Sequence, residues 1–431
     1  MAGKYLGIEV EDRFLKIIIM NKGKVTRTIL EVMPDNMVVG GRIVAFHALA
    51  EYLREVVKHN KIRVRSTAIA IPSESYYIRR VRLPRMTHRQ LLINIPYEFR
   101  DYLQEEADQY VYDYAVLSSD EQEMELLIAA LSKEQIAQYK AMCKRAGLTL
   151  VKLVPDVLAL QQVVLPPEDA AERRKRLAGE EKQRATQLRE EQREEQKRRR
   201  ALEKEKRRGK LSVDELSRRA AEEAQARGIH TGANPLQQSA AAEGMTAAEG
   251  KAFRVEGKPL AAGTGTAQST DKSSQSKDYA VLCMGYSRMQ LHFFSDGAYE
   301  ITRNLSASEK SLCEAIASEK GVDVHIAQVM LDANQNGIAE SELVTDQIQT
   351  LATEVMRVMN FYNYNNPRNS IDCIYYCGRA AHPVFAEHIQ ESVDLPVRSL
   401  TELLPDGVNL QKNPDEDSLL LMMQGYGAVL E

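Results

Sequence analysis

The chain has 431 residues, 44% of them hydrophobic and 27% charged, with a formal net charge of −4. That length exceeds one ordinary domain and allows two or three soluble globular units. The charge balance excludes a chain driven as a whole onto nucleic acid or anionic lipid. Five cysteines (Cys143, Cys283, Cys313, Cys373 and Cys377) are scattered and odd in number, which suits a reducing compartment better than a disulfide framework.

The opening, MAGKYLGIEVEDRFLKIIIM, is broken by Glu9, Glu11, Asp12 and Arg13 before an apolar run reaches signal-peptide length. No stretch approaches the ~18–20 apolar residues of a spanning helix. The expectation is a cytoplasmic protein that meets a membrane only through a partner.

LGIEV and FLKIIIM flank an acidic turn and read as a hairpin of buried strands. AFHALAEYLREVVKHN then carries Ala45, Leu49, Leu53, Val56 and Val57 at helical spacing, and STAIAIP is a buried strand. YYIRRVRLP alternates between two faces, and QLLINIPYEFRDYL reads as a helix. VYDYAVL and MELLIAAL form a strand pair across SSDEQE, and KEQIAQYKAMCKRAG is a helix closed by Gly147.

Character changes after Pro166 and Pro167. Residues 172–227 are nearly continuous Arg, Lys, Glu, Gln and Ala, with Leu177, Leu188 and Leu202 too sparse for a heptad seam. A solvated helix held by Glu–Lys/Arg pairs is the plain reading, since the intermixed Glu residues cancel the field that phosphate binding needs. Residues 228–277, rich in Gly, Ala, Ser, Thr and Gln, read as a linker. Residues 166–277 are thus expected to be an insertion.

From residue 278 the α/β pattern resumes. DYAVLCMG and MQLHFFSDGAYEIT read as strand, turn at Gly285, strand, and turn at Asp296-Gly297. EKSLCEAIASEKG, VHIAQVMLDAN and LVTDQIQTLATEVMRVMNFYNYN are helical, and DCIYYCGRAAHPVFAEHIQESV is strand, Gly turn and helix. A strand–turn–strand start near residue 5 recurs near residue 279, each followed by helices. Two related α/β halves, residues 1–165 and 278–431, facing each other across a cleft form an actin-like (ribonuclease H-like) arrangement.

The stretch TAIAIPSESYYIRRVRLPRMTHRQLLINIPYEFRDYL resembles the PilM family, on Pro72, Leu83, Pro84, Glu98 and Tyr102. Asp113-Tyr114 and the turn Ala146-Gly147-Leu148 extend that resemblance, and the second half follows in order of elements. The resemblance implies an actin-like scaffold of type IV pilus or related secretion assembly. Its partner would be the cytoplasmic tail of a bitopic PilN-like membrane protein, held beside a small subdomain at about residues 66–150. Self-association is a further partner reading, and no nucleic acid is expected. Within that subdomain Arg79, Arg80, Arg82 and Arg85 crowd YYIRRVRLP, with Tyr76 and Tyr77 at its start. Arg offers bidentate pairing and Tyr gives contact area at low entropy cost, so these are candidate partner-binding residues. The alternative is an edge strand kept soluble by its charges.

The resemblance also implies ATP with Mg²⁺ in the cleft, on Gly7, Glu9, Lys16, Gly285, Ser287 and Gly378. Such clefts use an Asp and small residues in each turn, because backbone donors must approach phosphate and a carboxylate must hold hydrated metal. Here Glu9 replaces the Asp, Glu11 and Asp12 replace small residues, and Cys283 stands for a second Asp. Ala327-Gln328 with Leu331 replaces a nucleoside-gripping Ala-Glu and Lys, and Gly378-Arg379 replaces Gly-Gly. The expectation is a degenerate cleft without catalytic residues. An active or slow ATPase of the same fold and an FtsA-like division filament are the alternatives. Asp332–Gly337 copies half of a calcium loop but lacks its closing Glu, so it reads as a polar loop, and no metal site is expected.

Overall fold

The computed structural model describes residues 3–164, 278–295, 297–367, 369, 371–380, 383–393, 395–404 and 416–430. The expected insertion at 166–277 and Asp296 of the expected turn lie outside the described residues.

The first half opens with strands β1 (Lys4–Val10), β2 (Phe14–Asn21) and β3 (Lys24–Val32), followed by short strands β4 (Val38–Val39) and β5 (Arg42–Ile43). Helix α1 (Phe46–His59) buries Leu49, Leu53, Val56 and Val57, the stripe its 3.6-residue period dictates. Strand β6 (Ser66–Ile71), β7 (Tyr77–Pro84) and helix α2 (His88–Glu98) follow. Next come β8 (Tyr110–Ser119), β9 (Glu123–Ser132), α3 (Lys133–Arg145), β10 (Thr149–Pro155) and α4 (Asp156–Val164). The second half runs β11 (Asp278–Met284), β12 (Met289–Ser295), β13 (Ala298–Leu305), α5 (Glu309–Lys320), α6 (Val324–Asp332) and α7 (Glu342–Asn365). It ends with β14 (Ile371–Cys377), α8 (Pro383–Ser392), β15 (Val397–Ser399), α9 (Glu416–Leu420) and α10 (Met423–Val429).

The two halves share one topology. The first sheet has the order β10-β6-β1-β2-β3, the second β13-β12-β11-β14-β15. In each, the opening strand pairs antiparallel with the next and parallel with a later strand. The opening strands are buried on both faces over their last five residues, which is why they read as continuous apolar runs rather than alternating ones. This is the expected two-half actin-like architecture.

The small subdomain is narrower than expected. Its three-stranded sheet, order β7-β9-β8, spans Tyr77–Ser132, whereas β6, at the start of the expected 66–150, is a strand of the first sheet, as is β10, which begins at its end. It carries a core of its own around Tyr77, Leu91, Phe99, Tyr110 and Leu126. Helix α2 starts on a capping box, Thr87 with Gln90, and stops at Glu98 instead of running to Leu103, because Pro96 cannot donate in the helical ladder.

The last helix crosses back. Although α10 follows the second half in sequence, it packs on α4 and β1 of the first. A Cβ on Gly427 would stand 1.9 Å from the Ala159 carbonyl oxygen, and one on Gly7 2.1 Å from that of Gly425. Only glycine permits these backbone approaches. Among the described residues, no helix is long and apolar enough to cross a membrane.

Candidate functional site

The carboxyl ends of β1, β6, β11 and β14 converge on one cleft, where the Gly285–Arg288 turn meets Pro72 and Asp156. Because Glu9 and Lys16 are register partners on β1 and β2, their side chains leave the hairpin side by side. Lys16 Nζ donates to Glu9 Oε1 and to Glu11 Oε1, both at 2.7 Å. Lys16 is 1% exposed and Glu9 5%. Burial pushes Glu9 up to about 7, against the pull of Lys16. Burial also acts to raise Glu11, but the Lys16 ammonium outweighs it and holds that carboxyl below its usual range. Lys16, in turn, resists desolvation and stays firmly protonated between the two carboxylates.

Arg288 then ties the second half to the first. Its Nη1 pairs with Glu74 and donates to Ser73 Oγ at 3.2 Å, where Gln290 Nε2 also donates at 3.0 Å. Asp156, at the start of α4, accepts from the Tyr76 hydroxyl and from the Ser73 and Val157 backbone N–H groups. Burial lifts its pKa to about 8, against the pull of Arg288. At the cleft's rim Arg379 pairs with Asp332 and Glu309 and lies 4.5 Å over the Phe14 ring. Burial raises Glu309 to about 7 although Arg379 opposes it. Cys283 and Cys377, register partners on β11 and β14, approach to 3.4 Å between sulfurs.

These contacts leave a cavity of about 40 Å³ between the halves. A site for a drug-sized ligand runs to roughly 300–1,000 Å³. The glycines are committed as well: Gly7 to α10, and Gly378, at φ 109°, to the β11 end, where a Cβ would meet the Met284 carbonyl oxygen at 2.6 Å. Glu11 faces the cleft, but Asp12 turns away and accepts from the Gly40 and Gly41 N–H groups at 2.7 and 2.6 Å. Ser287 lines the cavity beside Gly285. The cleft as it stands is therefore smaller than a nucleotide needs. Lys16 takes one oxygen of each carboxylate and leaves Glu9 Oε2 and Glu11 Oε2 buried without a hydrogen-bond partner among the described residues.

The expected nucleotide residues Glu9, Lys16, Gly285, Ser287 and Gly378 are thus brought together, but around an ion cluster. Gly7 is a packing position. Among the expected partner residues, Tyr76 is 1% exposed and Tyr77 9%. Both are core side chains, a correction to their reading as contact surface: the alternation of YYIRRVRLP starts two residues later. Arg79 donates to the Glu98 carbonyl at 2.5 Å and lies 4.4 Å from the Tyr102 ring centroid. Arg80 pairs with Glu125 at 3.1 Å, and Arg82, with its side chain 76% exposed, reaches the same carboxylate at 3.4 Å. β7 is an edge strand of its sheet. Asp156, Glu74 and Arg288 were not singled out from sequence; a polar residue between the apolar runs LVP and VLAL was the available signal for Asp156. No cluster of metal-ligating side chains occurs among the described residues.

Residues 7–165 match the family described as type IV pilus assembly protein PilM. Among solved structures, the chain is similar to a PilM-PilN type IV pilus biogenesis complex at 15% identity and a TM-score of 0.63, covering 99% of this chain and 98% of that one. The ethanolamine utilization protein EutJ from Carboxydothermus hydrogenoformans aligns at 12% identity and a TM-score of 0.46, over 98% and 88% of the two chains. MreB5 of Spiroplasma citri bound to ADP aligns at 7% and 0.43, over 98% and 94%. No curated protein matches. Residues 7–165 thus resemble the PilM family of type IV pilus assembly proteins, and the fold of the chain is actin-like.

Proposed function

We propose that this chain is a scaffold of type IV pilus assembly, peripheral to the inner membrane on its cytoplasmic side, that holds the cytoplasmic tail of a bitopic PilN-like protein and does not turn over nucleotide. The observation that carries this reading is the cleft, occupied by Lys16, Glu9 and Glu11 and bridged by Arg288 and Glu74, with about 40 Å³ left. Nothing in that arrangement supplies a nucleophile-orienting or phosphate-binding group, so the halves act as one framed body. The small subdomain offers the recognition surface. On it Leu92, Tyr97 and Tyr102 are 52%, 60% and 51% exposed, with Arg79 over the Tyr102 ring. Apolar and aromatic side chains flanked by arginine suit a short tail carrying apolar and acidic residues.

The test has two arms on the purified full chain. ATP with Mg²⁺ at millimolar concentration should leave the melting temperature unchanged; a ligand at a hundredfold excess over its Kd would add about 2.7 kcal/mol and be plain. A PilN-like tail peptide should be captured, and Tyr97→Ala with Tyr102→Ala should weaken capture at least tenfold while the fold survives. Clear stabilisation by ATP would overturn the closed-cleft reading, and full capture by the double variant would move the tail elsewhere.

A further inference from the structure

At the end of the first sheet opposite the cleft, the charge pattern reverses. β1, β6 and β10 run parallel, so all three begin at this end, and the β2–β3 turn returns to it: Lys22 N–H donates to the Gly3 carbonyl. Lys4 and Lys22 are exposed there, and Lys24 is half-buried. Helix α1 ends beside β3, where Asn60 accepts from Arg27 at 2.6 Å and donates to Glu31 at 2.8 Å, and residues 61–65 lead from there to the start of β6. Between the ends of α1 and α3 lies an open concavity of about 450 Å³ whose floor is Val57 and Ile62 and whose rim is Lys58, Lys61, Arg63, Arg65 and Arg145. Glu51 and Glu55 pair with Arg54, and Glu51 also with Arg145. Lys58, Lys61 and Arg63 are exposed and form no ion pair with the described residues. In a chain of net charge −4, this is a concentrated positive end.

Two bound forms of phosphate could meet such an end, and the backbone distinguishes them. A site for one soluble phosphate presents N–H groups, most often from a helix N-terminus. Here the C-terminal ends of α1 and α3 face the concavity, at Asn60 and Ala146, and those ends present carbonyls. The helix ends account for part of the basic clustering, since cations complement them, but Lys4, Lys22 and Lys24 belong to strands and turns. What remains is a set of long, solvated cations spread over one end, which acts as a field on many anionic groups at once. We infer that this end docks directly on an anionic phospholipid surface, phosphate headgroups facing Lys58, Lys61, Arg63 and the β2–β3 turn. This goes beyond the scaffold reading, in which the membrane is reached through a partner, and does not depend on it.

The experiment is flotation of the purified full chain, without any partner, with vesicles of phosphatidylcholine alone and of equal parts phosphatidylcholine and phosphatidylglycerol. Binding is expected to the phosphatidylglycerol vesicles only and should vanish at roughly 0.5 M salt, where screening is complete within a few ångströms. The variant Lys58→Glu/Lys61→Glu/Arg63→Glu should bind about a hundredfold more weakly, each lost cation being worth several-fold in affinity. These side chains are exposed, so its melting temperature should match the parent's, and Lys310→Glu/Lys320→Glu/Arg357→Glu is the control that should still float. Undiminished flotation of the first variant would transfer the binding to the charged segment at 172–227 and overturn the inference. Absence of flotation by the parent would overturn it too. So would stabilisation by millimolar inorganic pyrophosphate without vesicle binding, which would make the end a soluble-phosphate site.

Discussion

In hairpin β1–β2 the penultimate residue of the first strand is Glu9, paired across to Lys16; in β11–β12 the penultimate residue is Cys283, paired across to Gln290. Both pairs line or adjoin the same cleft, at equivalent places in a repeated topology. The first half fills its place with an ion cluster, Lys16 between Glu9 and Glu11. The second fills it with a neutral thiol and amide, bonded to Cys377 and to Ser73 and Asn304. Shared topology thus fixes where the cleft's side chains stand, while the chemistry at each place has diverged. A buried charge depends wholly on its partner, whereas a buried amide forfeits only individual hydrogen bonds.

Replacing the same member of each pair breaks the comparison most sharply. Lys16→Met keeps the chain's length in the core but leaves Glu9 and Glu11 facing each other without a cation. Removing one partner of a buried pair costs about 3–5 kcal/mol. The loss should be read as a fall in the urea midpoint at pH 7 and should shrink in acid, where the two carboxylates protonate. An equal loss at pH 4 and pH 7 would show that packing, and not charge, holds the first hairpin.

The crossing of α10 makes a second contrast, between glycines that pack and glycines that turn. Gly427→Ala would drive a methyl against the Ala159 carbonyl, with a Cβ contact of 1.9 Å. Overpacking of this kind costs about 1–3 kcal/mol. Gly321, at φ 67° with open space around it, should show only backbone strain when changed to Ala, about 1 kcal/mol. Thermal unfolding of the two variants should rank them in that order.

The cleft's carboxyls also set a pH dependence. Burial holds Glu9 and Glu309 at about 7 and Asp156 at about 8, all above their values in an unfolded chain. The folded state therefore keeps protons that the unfolded state has released, and stability falls as pH rises from about 4 through 8. Glu11, held low, works the other way at the acid end. Asp156→Asn should flatten the decline between pH 5 and 8 in denaturation midpoints, and an unaltered slope would show that Asp156 does not take up a proton on folding.

Much of this fold was legible because its signals are local. The buried runs at LGIEV and VLCM, the stripe of α1 and the Gly turn after α3 each follow from a few neighbouring residues. The repeated hairpin start led directly to two actin-like halves. The cleft's place was legible as well, since Glu9, Lys16, Gly285 and Gly378, marked in the two hairpins and the last Gly turn, come together there. Three things were not. Tyr76 and Tyr77 look like surface aromatics beside arginines, but they complete two cores. Gly7 looks like a phosphate-turn glycine, yet its neighbour is Gly425, far along the chain. Arg288 meets Glu74 across 214 positions, and no periodicity encodes a contact at that separation. The Lys16 pairs within the first hairpin are local, but the bridge between the halves is of this long-range kind, so the sequence marked the site and not its closure.

The smallest effect is expected in the second hairpin. Gln290→Met removes an amide whose Nε2 donates to Ser73 Oγ at 3.0 Å and to Asn304 Oδ1 at 2.7 Å. Ser73 keeps its contacts with Arg288 and Glu74, so its hydroxyl is not orphaned. A lost neutral hydrogen bond with the partner still satisfied costs about 1 kcal/mol, and methionine recovers packing in a place that is 4% exposed. The total should come to about 1–2 kcal/mol, with no dependence on pH because no charge is uncovered. Measured beside Lys16→Met in one series of urea titrations from pH 4 to pH 8, it should give a flat line under a sloping one. If both lines slope alike, the two hairpins share one titrating network through Ser73 and Arg288, and the division into an ionic and a neutral hairpin fails.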